Sequence, residues 1–372
     1  MSDYIGSDGV QTHRQAPLDA IVVVNLGTPA AATAGALRSY LAEFLSDPRV
    51  IELPRWLRWL LLNGVILRVR PRRSARAYAR VWTAAGSPLR VGSEALVEGL
   101  RGALGHDGDA ARPEVLLAMS YGEPQLQRVL ADLQRRGLRR LLILPLYPQY
   151  SGSTTGSVFD AVARTLGRWR WVPELHFISD YFREPGYISA LAGSVQEYWA
   201  EHGRGERLLL SFHGIPRRYL LAGDPYYCQC QATARLLRES LGLAEQELVV
   251  SFQSRVGREV WLQPYTDKLL QEWGRAGIKR VQVLCPGFAV DCLETLDEIA
   301  REAAELFTAA GGTALDYIPA LNASAGHIAT LQALVRRHTQ AWSIAERAPD
   351  QAELRIARAE ELRRTSPWLS SS

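Results

Sequence analysis

Short apolar runs, each stopped by glycine or proline, recur along the chain with amphipathic stretches between them. Ala20–Leu26 (AIVVVNL) is a β-branched run halted by Gly27, Thr28 and Pro29. Val115–Met119, Arg140–Leu146 and Leu175–Ile178 follow, then Arg207–Phe212, Leu248–Phe252, Lys279–Leu284 and Leu315–Pro319. Runs of that length between turn formers read as buried strands of a parallel sheet. The intervening stretches read as helices: Ala34–Leu45, Gln125–Leu138, Val158–Trp169, Tyr187–His202, Gln229–Leu241, Tyr265–Ala276, Cys292–Phe307 and Gly326–Ala341.

The series repeats itself. Four strands with helices between them come first, then four more, and the third-to-fourth spacing is similar in both series and long enough for a right-handed βαβ crossover. The pattern predicts an α/β fold of two similar Rossmann-like domains, each a four-stranded parallel sheet flanked by helices. Residues 18–183 form the first and 184–342 the second, with the last helix, 326–341, able to pack back on the first. Residues 1–17 are expected to be disordered and 343–372 to be a polar tail that frays. Between its first and second strands the first series carries a Trp- and Arg-rich insertion, 34–89, far beyond ordinary loop length. Long insertions of this kind act as lids or binding elements. Strand-end loops of both domains are then expected to line one cleft.

Composition narrows the class. The chain has 372 residues, 47% hydrophobic and 22% charged, enough for two cores. A net charge of +4 does not point to nucleic acid. Four cysteines are too few for a disulfide scaffold, and the polar N-terminus MSDYIGSDGVQTHRQAP has no signal-peptide core, so a cytoplasmic protein is expected. The most apolar stretch, Trp56–Val69, is broken by Arg58, Asn63 and Arg68, too polar to span a bilayer. With Trp56, Trp59 and flanking Arg55, Arg70, Arg72 and Arg73, residues 56–70 are a candidate for peripheral membrane contact, against the alternative of an ordinary core-facing helix.

Two places offer chemistry. His213 follows an apolar run and precedes Gly214 and Pro216, which puts an imidazole at the carboxyl end of a strand, where open α/β sheets bind ligands. Glu294, Glu298 and Glu302 recur at i, i+4 and i+8 on the helix after the second domain's third strand, and so share a face. Such a ridge either stays solvated or meets a cation. A His and a carboxylate across a cleft can bind metal or move protons. No phosphate-binding or nucleophile-elbow motif is present. Cys228, Cys230, Cys285 and Cys292 lack zinc spacing.

Several motifs, in order, then resemble the ferrochelatase family: NLGTP at 25–29, FLSDPRV at 44–50, GSPL at 86–89, PLYPQYSGSTTGS at 145–157, SFHGIP at 211–216, GDPYY at 223–227, FQSRVGREVWLQPYTD at 252–267 and CPGFAVDCLETLDEI at 285–299. The resemblance is to the bacterial, proteobacterial-type branch and covers about Ile21 to His338. It implies a chelatase-type fold and a lyase that inserts Fe2+ into protoporphyrin IX to give protohaem, with release of two protons, the last step of haem biosynthesis. It also implies a catalytic His and Glu on opposite sides of the porphyrin centre, here His213 and Glu294. His213 is expected as the base; Glu294, backed by Glu298 and Glu302, is expected on the metal or proton-exit side. Bending the macrocycle exposes the nitrogen lone pairs, so a base can take protons on one face while metal arrives at the other. Tyr78, Ser87, Tyr121, Arg255 and Trp59 are the candidates for the apolar porphyrin slot.

Fe2+ is a substrate in this scheme and no prosthetic group is expected. In many relatives a His stands where this chain has Cys292. Some relatives carry a [2Fe-2S] cluster on a cysteine-rich C-terminal extension, but residues 343–372 hold no cysteine; none is expected on the internal cysteines either. A monomer or homodimer is expected. The alternatives are a chelatase for coproporphyrin III or sirohydrochlorin, or a non-catalytic porphyrin or haem carrier; the apolar 59–67 stretch favours an apolar porphyrin over a highly carboxylated one.

Overall fold

The computed structural model describes residues 4–6, 18–105, 112–257, 259–342 and 349–366. Most of the N-terminal segment, 1–17, lies outside the described residues; within it Ile5 pairs with the backbone around Trp169. Eight strands form two parallel sheets. In the first, β1 (Leu18–Gly27), β2 (Glu114–Tyr121), β3 (Leu138–Pro145) and β4 (Glu174–Phe177) take the order β2-β1-β3-β4. In the second, β5 (Arg207–His213), β6 (Leu248–Gln253), β7 (Arg280–Leu284) and β8 (Ala314–Ile318) take the matching order β6-β5-β7-β8. All pairings are parallel, so every strand of a sheet ends at the same edge.

Side chains alternate across each sheet. In β1, Ala20, Val22 and Val24 face a core shared with α5 (Leu126–Arg135) and α6 (Thr155–Leu166). Ile21 and Val23 face the other way, into a core that continues through Leu208, Leu210 and Phe212 of β5. Both sheets therefore turn one face to a common interior, which also takes in α7 (Pro185–His202), α9 (Tyr226–Leu241) and α12 (Ala325–His338). The outer face of the second sheet packs on α10 (Thr266–Arg275) and α11 (Ala304–Ala309). Burying each of these large side chains stabilises by roughly 1.5–3 kcal/mol, so the shared interior fixes the two halves against each other.

The insertion is mostly helical, with loops at 47–54 and 82–87. α1 (Ala34–Ser46) is capped by Thr33, whose hydroxyl accepts from the Ala36 amide. α2 (Arg55–Leu61) passes through a wide i→i+5 turn, Leu62–Ile66, into α3 (Leu67–Val81). Pro71 cannot donate to the carbonyl of Leu67 four residues back; Arg38 Nε does so instead, at 3.0 Å.

Four elements differ from the sequence expectation. α4 (Pro88–Leu104) lies where the sequence reading assigns no element, although Leu89, Ser93, Leu96, Val97 and Leu100 are buried at helical spacing; Gly92 and Gly99 stand in its interior. Glycine in a helix interior costs about 1 kcal/mol relative to alanine. Here it admits close packing: a Cβ would meet Val290 at Gly92 and Ile328 of α12 at Gly99, each at 2.4 Å. α4 thus reaches across to the second half, and Gln332 of α12 donates to the carbonyl of Ala103. Short α8 (Arg217–Leu221) follows His213. The tail expected to fray carries α13 (Pro349–Thr365), its described side chains mostly exposed. The helix expected over Cys292–Phe307 begins instead as a π-helix, Glu294–Ala303, with i→i+5 bonds, and becomes α11. Such widening concentrates at functional sites.

Candidate active site

His213 is the last residue of β5, and its register partner on β6 is Gln253. Both therefore stand at the carboxyl edge of the second sheet, and the segment after β7 brings the π-helix to the same edge. His213 Nδ1 lies 2.7 Å from the carbonyl of Gly214. A carbonyl only accepts, so Nδ1 carries a proton, and in the neutral ring the lone pair is on Nε2. Phe288 stands beside the ring, 6.5 Å between centroids.

Polar groups from β6 fasten the π-helix. Gln253 Oε1 accepts from Ser211 Oγ at 2.7 Å, which aims its Nε2 at the carbonyl of Glu294, 3.0 Å away. Ser254 sits in the left-handed region, φ 65°, a conformation that costs a non-glycine residue about 1 kcal/mol or more. There its amide and hydroxyl both donate to the Glu298 carboxylate, at 2.7 and 2.5 Å. Burial pushes the Glu298 carboxyl up, and neighbouring Glu294 adds to the rise; Ser254 and the His213 imidazole hold part of it back.

The entrance to the helix is pinned by Asp291. Its carboxylate accepts from Tyr317 Oη (2.6 Å), Asn322 Nδ2 (2.8 Å) and Thr295 Oγ1 (2.9 Å). The backbone carbonyl of Asn322 in turn accepts from His327 Nδ1, at 2.7 Å. Burial first, then Glu294, pushes the Cys292 thiol up, so it stays protonated beside that carboxylate.

The opposing wall belongs to the insertion. Tyr40 and Tyr78 lie close enough to Glu294 to feel its charge, and burial foremost keeps both phenols neutral. Tyr40 Oη donates to the carbonyl of Gly27, and Thr28 Oγ1 to Ser87 Oγ at 2.8 Å. Leu293 packs against the apolar cluster of Tyr40, Tyr78 and Tyr121. Farther along, Arg80 forks onto Asp297 of the π-helix, Nε–Oδ1 2.8 Å and Nη2–Oδ2 2.6 Å. Burial pushes the Asp297 carboxyl up, but the Arg80 and Arg301 guanidiniums outweigh it and hold it below the usual carboxylate range.

The structure thus brings together His213, Glu294, Glu298, Tyr78, Ser87 and Tyr121. It does not bring the other three. Glu302 is half exposed and held by Arg301 Nη2 at 2.7 Å, with Arg80 at 3.8 Å. Arg255 turns to Asp267 and lies over the Tyr265 ring, 4.5 Å from its centroid. Trp59 is 63% exposed on α2. Sequence reasoning missed Tyr40, Gln253, Ser254 and Asp291; the last three belong to the FQS and AVDC segments, and their order offered a signal that their spacing did not. Among the described residues no three His, Cys, Asp or Glu side chains form a ready metal cage. A cavity of about 680 Å³ between α5 and α6 is lined by Gln134, Arg135, Arg164 and Arg168 at the helix C-termini, hence at the amino edge of the first sheet, the wrong edge for this chemistry.

The comparisons with known proteins agree on one family. The family model described as Ferrochelatase matches residues 18–339. A protein of Nitrosococcus oceani named Ferrochelatase is 57% identical over 326 residues, 88% of this chain and 88% of the relative. One of Thioalkalivibrio sulfidiphilus with the same name is 56% identical over 322 residues, 87% of each. Among solved structures, the sirohydrochlorin chelatase SirB of Bacillus subtilis subspecies spizizenii, in complex with cobalt, superposes with a TM-score of 0.51 at 11% identity, covering 87% of this chain and 96% of that one. That likeness concerns the fold alone.

Proposed function

This chain belongs to the ferrochelatase family, a metal chelatase that inserts Fe2+ into protoporphyrin IX, and from that premise we propose the roles of its individual residues. His213 is the base. Fe2+ and the neutral porphyrin give neutral protohaem and two protons: two N–H bonds break, four Fe–N bonds form, and the iron sheds its water. His213 Nε2 takes one pyrrolic proton on one face, passes it to solvent as the imidazolium, and then takes the second. Glu294 meets the incoming metal on the other face or relays the released proton, with Glu298 behind it; Glu302, held by Arg301, takes no part.

The observation that carries this reading is the fixed tautomer of His213. A carbonyl claims Nδ1 and leaves Nε2 able only to accept, beside carboxylates on a neighbouring helix. The neutral, buried phenols of Tyr40 and Tyr78, with Ser87 and Tyr121 behind them, support an apolar slot on the insertion side. Anaerobic mixing of the protein with Fe2+ and protoporphyrin IX, followed by loss of porphyrin fluorescence, tests the assignment. A His213→Ala variant with wild-type rates would sink the base role. Competition between protoporphyrin, coproporphyrin and sirohydrochlorin checks that the first is preferred.

We also infer that the protein touches a membrane surface through 56–70. Trp56, Leu57, Trp59, Leu60, Leu61, Val65 and Val69 are exposed together. Among the described residues, Arg68, Arg70, Arg72, Arg73 and Arg76 beside them form no ion pair with a carboxylate. An apolar strip with unpaired cations suits the anionic face of a bilayer. Among the described residues no helix is long and apolar enough to cross one. Co-sedimentation with phosphatidylglycerol vesicles, lost in Trp56→Ser/Trp59→Ser, is the expected result; equal binding to neutral vesicles would remove the electrostatic part.

A further inference from the structure

The insertion grips the corresponding helix in each half. Arg49, just past α1, forks onto Asp160 of α6, Nε–Oδ2 2.6 Å and Nη2–Oδ1 2.9 Å. Arg80, in the last turn of α3, forks onto Asp297 of the π-helix. Each helix begins after the third strand of its half, across residues 146–154 in one case and 285–293 in the other. The second grip crosses the cleft. Tyr78 precedes Arg80 by two positions and faces Glu294; Asp297 lies between Glu294 and Glu298.

We propose that Arg80 is a positioning residue for iron insertion: through its forked pair with Asp297 it holds the Glu294–Glu298 turn of the π-helix against the Tyr78 wall. Arg301 also donates to Asp297, at 2.7 Å, but it sits four residues along the same helix and travels with it. It neutralises charge without fixing the helix to anything. Arg80 is the partner that, among the described residues, comes from another element. The fork matters, because two parallel N–H···O bonds fix orientation as well as distance. The Asp297 side chain is only 6% exposed, so water does not readily replace the fork. A displacement of about 1 Å at a reacting group can lower a rate a hundredfold, so a small tilt of this turn is enough to matter.

The proposal rests on Glu294 having the role given above. It is tested in the full chain with Arg80→Gln, Arg80→Lys, Asp297→Asn and the Arg80→Gln/Asp297→Asn double variant. Porphyrin affinity is measured by fluorescence without metal, and kcat and KM for Fe2+ are measured anaerobically. Arg80→Gln and Asp297→Asn should each lower kcat/KM for iron by roughly tenfold, with porphyrin affinity within about twofold and no further loss in the double variant. Arg80→Lys, which keeps the charge without the fork, should recover only part. Wild-type iron kinetics in Arg80→Gln, equal losses in iron kinetics and porphyrin affinity, or additive single effects would each overturn the clamp. If Arg80→Gln does not fold, the iron kinetics of Arg80→Lys decide, and a wild-type value overturns it. Glu294→Gln is run alongside. If that variant is active, the role of Glu294 fails; if it is inactive while Arg80→Gln is normal, the clamp alone fails.

Discussion

α6 and the π-helix hold the same place in the two halves, yet they are wound and charged differently. α6 starts at Thr155, a fully buried hydroxyl residue, and keeps i→i+4 bonds. At the matching position the π-helix places Glu294, partly open to the cleft. The strand ends differ in the same sense. In the first half, Asn25 donates to Ser93 at 3.0 Å and Thr28 to Ser87 at 2.8 Å, so the polar groups at the end of β1 are consumed within that half. In the second, His213 keeps a bare nitrogen and Gln253 and Ser254 reach to the π-helix. One scaffold has been built twice. The first half has its own wide turn at Leu62–Ile66, but in the second the widened helix and the strained serine meet at the sheet edge that carries the proposed reacting groups.

The largest effect should come from removing the chemistry on the second side. Glu294→Gln and His213→Ala should each lower kcat by roughly 10²–10⁴-fold, the range for losing a positioned acid–base group, with thermal midpoints near wild type. Anaerobic iron insertion read by fluorescence measures it. A loss below about tenfold in both would mean that the first half shares the chemistry and the contrast is false.

Much of this contrast could be read from the residues. The eight strands, the duplication and the insertion follow from apolar runs and Gly and Pro stops, whereas the pairing of His213 with Glu294 is what the family resemblance implies. Three things could not. The winding of the π-helix was hidden because Glu294, Glu298 and Glu302 have the same spacing whichever way the backbone bonds run. α4 was missed because Gly92 and Gly99 lower its helix preference, yet they are the residues that let it pack on Val290 and Ile328. The Arg80–Asp297 fork joins residues that no local rule connects, and Arg301 engages Glu302 away from the ridge. Long-range side-chain pairing is decided by the packing of two halves, which periodicity does not encode.

A second difference concerns acid stability. α7 and α12 follow the last strands of their halves, and their third residues are Tyr187 and His327, both buried. Burial pulls the His327 imidazole down to about 4, although its bond to the Asn322 carbonyl opposes this. The unfolded chain would bind a proton near pH 6.5. Between those values the unfolded state holds more protons, so this group's contribution is whole above about pH 6.5 and is lost as pH falls towards 4, on the order of 3 kcal/mol in all. His327→Gln keeps a donor for Asn322 and removes the titration. Urea midpoints at pH 7.5 and 5 should lie closer together in that variant than in wild type. An unchanged gap would show that the acid limb is not set by this helix.

A smaller effect separates the two grips of the insertion. Arg49 is partly exposed, so breaking its fork to Asp160 with Arg49→Gln should cost roughly 0.5–1 kcal/mol of stability by denaturant titration. Iron kinetics should not move, because α6 carries none of the proposed reacting groups. If Arg49→Gln slows insertion as Arg80→Gln is expected to, the insertion acts as one rigid bridge and the two helices are functionally alike.

The smallest effect is the sharpest check on the first side. Thr155 is fully buried and its hydroxyl has no hydrogen-bond partner among the described residues. A buried donor without a partner is a net liability, because it has left water and gained nothing in return. Valine matches threonine in shape and lacks that burden, and its lower helix preference matters little at a helix start fixed by packing. Thr155→Val should therefore raise stability by up to about 1 kcal/mol and leave kcat unchanged. The position corresponds to Glu294, so the two substitutions test one site in the scaffold with opposite expectations. If Thr155→Val instead slows iron insertion while the protein stays folded, the hydroxyl has a partner during turnover. The first half would then contribute a polar group to the reaction, at the very place where the second contributes its carboxylate.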